Sequence, residues 1–166
     1  IYIAFDVGTV ECEVRKIASI NENAITFTTV LSYAHVEGDP VIYSEEALVD
    51  VKWFGAIGDM VTDDSTAFNR ANTQFGILGA GALFVPPGSY LVNATINMPA
   101  NTSVHGVGMR GSLIIFTGAN RFIYAHDVDN IQIYDLWIRI SATNNCIELD
   151  NVTNAEVRNS FFNGSD

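Results

Sequence analysis

Apolar and polar positions change rhythm at about residue 49 of the chain. Before it, ECEVRKIASI is followed by the turn residues Asn21, Glu22 and Asn23 and then by AITFTTVL, rich in β-branched and aromatic side chains. This predicts a hairpin with a three-residue loop. SYAHVEGDPVIY then carries turn residues Gly38, Asp39 and Pro40 before another short strand, so residues 1–48 read as a small β-rich module. In DDSTAFNRANTQF the period becomes helical: Ala67, Phe68, Ala71 and Phe75 form one apolar stripe, while Asn69, Arg70, Asn72 and Gln74 face outward. Thr62 or Asp63 can accept from the free amides of the first turn, acids there oppose the positive end of the helix dipole, and Gly76 is the expected stop. The pattern predicts a helix over 63–75.

Beyond it no second helical stripe occurs. ALFV, YLV, INMPANTSVHG and SLIIF are strand-like runs parted by Gly, Asn, Asp and Pro, as in an all-β stack. Internal repetition narrows the choice. FIYAHDVDNIQIYDLWI, residues 122–138, lies over CIELDNVTNAEVRNSFF, residues 146–162, at a shift of 24. Ile123 falls on Ile147, Val128 on Val152, Asn130 on Asn154, Ile133 on Val157, Asp135 on Asn159 and Trp137 on Phe161. Asn101, Val104 and Gly106 match Asn130, Ile133 and Asp135 at a shift of 29. Solenoids repeat every 20–50 residues or so, and a chain coiling at this period stacks each strand on its copy one turn later, like side chain on like. This predicts a parallel β-helix; a β-sandwich with segments alike by chance is the alternative. The first turn of such a coil would expose its interior column to water. Covering one Phe-sized side chain is worth about 1.5–3 kcal/mol, and helix 63–75, just before the first strand, has the shape of a lid.

VKWFGAIGDMVTDDSTAFNRA, then GAGALFVPPGSYLV, then NTSVHGVGM closely resemble the opening of the pectate-lyase-superfamily right-handed parallel β-helix. That opening usually runs DFGAxGDGxTDDTxAxxxA, GGxVxxPPGxYxV and VxLxGxG. The specific motifs span roughly residues 49–112, with Trp53 where Asp is common, Met60 where Gly is common and Ala80 for a middle Gly. The resemblance implies a mostly β fold: a right-handed parallel β-helix over 49–166, capped by a short N-terminal α-helix and preceded by the module at 1–48. AITFTTVLSYAHVEGDPVIY is similar to the β-rich segments with an LxxAHxxGxxV pattern that precede such coils in phage tail proteins. The resemblance thus implies a bacteriophage tailspike or tail fibre, a homotrimer in the virion that contacts other tail proteins and binds host cell-surface polysaccharide. A secreted polysaccharide lyase or glycoside hydrolase of the same superfamily is the alternative, and a surface adhesin without chemistry a third. The chain starts without Met and reads as a piece of something longer.

Composition adds exclusions. With 48% hydrophobic and 16% charged residues among 166, the chain can bury a core and does not read as disordered. Eight basic against nineteen acidic side chains give a net charge of -11, which repels phosphate backbones and anionic lipids, so neither nucleic acid nor membrane insertion is expected. IYIAFDVGTV lacks the flank and length of a signal peptide. Cys12 and Cys146 predict buried thiols rather than a disulfide framework.

GVGMRG, residues 106–111, fits the dinucleotide fingerprint, yet SLIIF follows it where a helix would be needed, so turn glycines are expected. The triplets beginning at Asn93, Asn101, Asn151 and Asn163 read as turn chemistry, and His35, His105 and His126 as turn or surface residues. GDMVTDDSTAFN lacks the alternating ligands of a calcium loop; no metal and no cofactor is expected. Glycosidic cleavage uses two carboxylates roughly 5–9.5 Å apart, which adjacent turns about 4.8 Å apart can supply. Asp150 falls one repeat after His126, with Asp127 and Asp129 nearby, whereas Glu148 and Glu156 follow Tyr124 and Gln132. Asp127, Asp129, Glu148 and Asp150 are the candidate catalytic acids. They do not complete a catalytic set, and the resemblance implies that any depolymerase activity lies on turns beyond Asp166.

Overall fold

The computed structural model describes residues 2–5, 7–8, 12–21, 24–28, 31–32, 34–35, 41–44, 47–140 and 145–164. Four strands, β1 (Tyr2–Phe5), β2 (Glu13–Asn21), β3 (Ala24–Phe27) and β4 (Val41–Ser44), pair antiparallel in the order β3-β2-β1-β4. The expected hairpin is β2–β3, but Asn21 pairs with Ala24 and so belongs to the ladder, not to a three-residue loop. Glu22, Asn23 and the expected turn at Gly38, Asp39 and Pro40 lie outside the described residues.

From Leu48 the chain coils. In chain order come β5 (Leu48–Asp50), a 3-10 turn (Val51–Phe54), β6 (Asp59–Asp63), helix α1 (Ser65–Leu78), β7 (Gly81–Phe84), β8 (Gly88–Val92), β9 (Ile96–Asn97), β10 (Thr102–His105), β11 (Ser112–Phe116), β12 (Arg121–His126), β13 (Asp129–Tyr134), β14 (Trp137–Ile140), β15 (Asn145–Asp150), β16 (Thr153–Arg158) and β17 (Phe161–Gly164). Each complete turn gives one strand to each of three parallel sheets, ordered β5-β7-β10-β13-β16, β6-β8-β11-β14-β17 and β9-β12-β15. This is a parallel β-helix.

Period-2 alternation sends every other side chain inward, and the register stacks like on like. Leu83, Val104, Ile133 and Val157 line up across the first sheet, Tyr90, Ile114, Ile138 and Phe162 across the second, and Ile96, Ile123 and Ile147 across the third. Most of these side chains are wholly buried. At one corner Asn101 (φ 59), Asn130 (φ 59) and Asn154 (φ 54) sit in the left-handed region, which Asn tolerates better than most residues. Their side-chain amides bond from turn to turn across 29 and then 24 residues, the two shifts visible in the sequence.

The lid is α1, which starts and ends later than 63–75. Gly76 lies inside it, and Gly79 (φ 66) closes it by donating its N–H to Phe75 O. Nor does α1 precede the first strand. β5 and β6 already form a partial turn, and α1 follows β6 where a third strand would come. LVD is too short, and DMVTD too acidic, to show a strand period in sequence. The Phe68 ring, wholly buried, meets Tyr90 at 5.6 Å and Phe122 at 6.4 Å between centroids. Asn72 Oδ1 accepts from Asn97 N at 3.2 Å, giving the free edge of β9 a polar partner.

The helix also anchors the N-terminal sheet. Gln74 Oε1 accepts from Val14 N (3.1 Å) and from Arg15 (2.7 Å). Arg15 is ion-paired with Glu13, and both are buried. Glu13 also accepts from Ser32 N (2.9 Å) and lies 2.6 Å from His35 Nε2.

Candidate functional site

Where inward side chains form the core, outward ones form ladders, and the three faces differ in chemistry. On the third sheet Tyr124 and His126 lie in register with Glu148 and Asp150. The Arg121 guanidinium sits 3.9 Å from the centre of the Tyr124 ring and pairs with Glu148 at 3.1 Å. His126 stands between two carboxylates, with Nδ1 2.9 Å from Asp150 and Nε2 3.0 Å from Asp127. Asn151 donates to Asp127 at 2.6 Å, and the Thr153 hydroxyl donates to Asp129.

The structure thus brings Asp127 and Asp150 together around His126, puts Glu148 on the same strand as Asp150, and engages Asp129 with the next turn at Thr153. An imidazole bridging two carboxylates can relay a proton between them. This cluster is open to water: His126, Asp127 and Asp150 are all exposed. Among the described residues no group of three or more His, Cys, Asp or Glu side chains is arranged to hold a metal ion, and no helix is long and apolar enough to cross a membrane.

The acids before the helix are occupied locally. Asp59 accepts from Val61 N (2.9 Å) and Thr62 N (2.7 Å), and Asp63 from Ser65 N (2.9 Å). Thr62 N and Val61 N hold the Asp59 carboxyl below the usual 3.8, and the Ser65 hydroxyl and amide do the same for Asp63. Asp64, at the cap position, turns back to accept from Ile57 N (2.7 Å) and Gly58 N (3.2 Å). Burial raises its pKa against those two bonds. Asp63, of the two expected caps, contacts the first turn, while Asp64 closes the glycine turn behind it.

GVGMRG connects two strands, β10 and β11, and a Cβ on Gly106 would lie 2.5 Å from Asp135 O. Close packing between turns explains that glycine. Burial pushes the Cys146 thiol up to about 11, which keeps it protonated and unreactive at neutral pH.

Two arrangements were not visible in the sequence. On the first sheet Phe84, His105, Tyr134 and Arg158 stack outward in register, with His105 and Tyr134 nearly parallel at 4.9 Å and Arg158 4.1 Å from the Tyr134 centroid. On the second, Met109, Arg110, Trp137 and Phe161 line a groove of about 260 Å³. The alignment of Trp137 with Phe161 was the available signal; what it lacked was the side of the sheet. Leu136 and Ile138 are buried and Trp137 between them is not, so the pair faces out.

The family model described as "Rhamnogalacturonase A/epimerase, pectate lyase-like" matches residues 48–165. The chain belongs to this pectate lyase-like family. The family coil accounts for all three parallel sheets, since the match begins at β5. The preneck appendage protein of Bacillus phage PZA is 41% identical over 68 residues, covering 41% of this chain and 7% of that protein. Mannuronan C5-epimerase AlgE6 of Azotobacter vinelandii is 29% identical over 116 residues, covering 61% of this chain and 13% of that protein. Among solved structures, ORF18 of Geobacillus virus E2 superposes with a TM-score of 0.57 at 22% identity, over 68% of this chain and 25% of that one, which shows a shared fold. The chain spans a small part of the length of each of these relatives.

Proposed function

We propose that this chain is part of a bacteriophage tail appendage, a virion structural protein that attaches to the host through surface polysaccharide. The observation that carries this reading is the 41% identity to the phage PZA preneck appendage protein. In it, residues 1–48 are the virion-proximal or connecting module, held against the lid by the Arg15–Gln74 contact, and residues 49–166 begin the coil. The whole protein is a homotrimer with other tail proteins as neighbours. Any depolymerase activity belongs to turns beyond these residues; Asp127, Asp129, Glu148 and Asp150 are the acids here to test for cleavage.

A second reading, a secreted polysaccharide lyase or glycoside hydrolase, draws on the likeness to a mannuronan epimerase over 61% of the chain. Antibodies against this chain should decorate phage tails in electron micrographs and block adsorption to host cells. The full protein should run as a trimer in size-exclusion chromatography with light scattering. A monomer found in culture medium and absent from virions would select the second reading.

A further inference from the structure

The hairpin of the N-terminal module outruns its sheet. β1 pairs with β2 over residues 13–16, and beyond Lys16, among the described residues, β2 has β3 alone beside it. A two-stranded ribbon by itself is marginal in water. Side chains alternate along β3, so Ile25 and Phe27 share one face with the residues opposite them, Ile20 and Ile17. Ser19 with Thr26 and Asn21 with Ala24 take the other face. The apolar face begins on the body of the module, where Phe27 meets Phe5 edge-on at 5.5 Å. It runs outward to Ile20 and Ile25, which are 61% and 48% exposed.

We infer that this face is a contact between copies of the chain: in the assembled protein the hairpin of one subunit sets Ile20 against Ile25 of the next, around the threefold axis. This rests on the homotrimer proposed above and names the residues that meet in its N-terminal modules. Charge permits the contact. Residues 16–28 hold one Lys and one Glu, net zero, in a chain of net charge -11, so copies that repel one another as wholes can meet there. Size decides the occupant. Four side chains are far fewer than the roughly 20–30 residues a side of a stable free-standing interface, so a partner arriving from solution would not stay. Copies already tethered by the rest of a trimer meet at high effective concentration, and a contact too small to recruit a stranger is then enough. A threefold axis joins two different patches, here the β2 side and the β3 side of one face, and closes after three with the polar faces outward.

In the full protein, Ile25→Cys copies treated with a short bis-maleimide should run on a denaturing gel at twice the subunit mass, in a proportion independent of protein concentration. Thr26→Cys, on the polar face, should stay at the subunit mass, as should the parent with Cys12 and Cys146. Both replaced side chains are exposed, so the fold is retained, which near-ultraviolet circular dichroism checks. Linkage at neither position in a protein that light scattering shows to be a trimer, equal linkage at both, or linkage that grows with concentration would overturn the contact and leave the trimer standing. A monomeric parent removes the homotrimer and the contact with it. An Ile25→Cys thiol that reacts freely in isolated trimers but is shielded in virions assigns the face to another tail protein and overturns this inference.

Discussion

Asn130 donates its side-chain amide to Asn101 across 2.7 Å and accepts the amide of Asn154 at 3.2 Å, so one side chain ties three successive turns at a left-handed corner. Two costs follow from removing it. Asn130→Ala loses both bonds and forces a Cβ-bearing residue without a local acceptor into φ 59, for a total of about 1–3 kcal/mol. Asn130→Gly loses only the bonds. Urea unfolding should rank parent, Gly and Ala in that order; equal losses for Gly and Ala would show that backbone strain plays no part.

Gly76 is an interior position of α1 with open space around its Cα, and it is exposed. Gly76→Ala should stabilise the chain by about 0.5–1 kcal/mol, raising Tm by roughly 2–4 °C per kcal/mol. Calorimetry checks it. Gly106→Ala should do the reverse, since the new methyl would lie 2.6 Å from Ser112 Cβ.

Phe68 is the centre of the lid and is 0% exposed, whereas Phe162, inward on the outermost described turn, is 38% exposed. Phe68→Ala should cost about 3–5 kcal/mol and Phe162→Ala markedly less. Chemical denaturation of both variants compares them, and a Phe68 loss no larger than that of Phe162 would argue against α1 as the seal.

Asp59 and Asp63 have carboxyls held below 3.8 in the folded chain. A depressed pKa stabilises the fold above the unfolded value, and that contribution disappears as pH falls through the folded one. Asp64, raised by burial, has the opposite sign, so acid relieves it. Asp59→Asn with Asp63→Asn should therefore flatten the fall in Tm on acidification below about pH 4. An unchanged slope would mean these turns contribute nothing to acid sensitivity.

How much of this was legible in the sequence depended on whether repetition exposed it. Ile123 and Ile147 sit in one column because identical environments one turn apart select similar side chains, and the eye can find that shift. The same register put His126 beside Asp150, as the alignment implied. Trp137 and Phe161 aligned equally well, yet alternation alone does not say which side of a strand meets water. β5 and β6 stayed hidden because a three-residue strand and an acid-rich one carry no period. The Glu13–Arg15–Gln74 cluster was hidden for another reason: the helical stripe put Gln74 on the outward face, and only the strand β2 packed across it makes that face interior.

Asn72 has a further effect through its bond to Asn97 N. With that amide already satisfied, the third sheet offers no vacant donor there to a stray extended peptide.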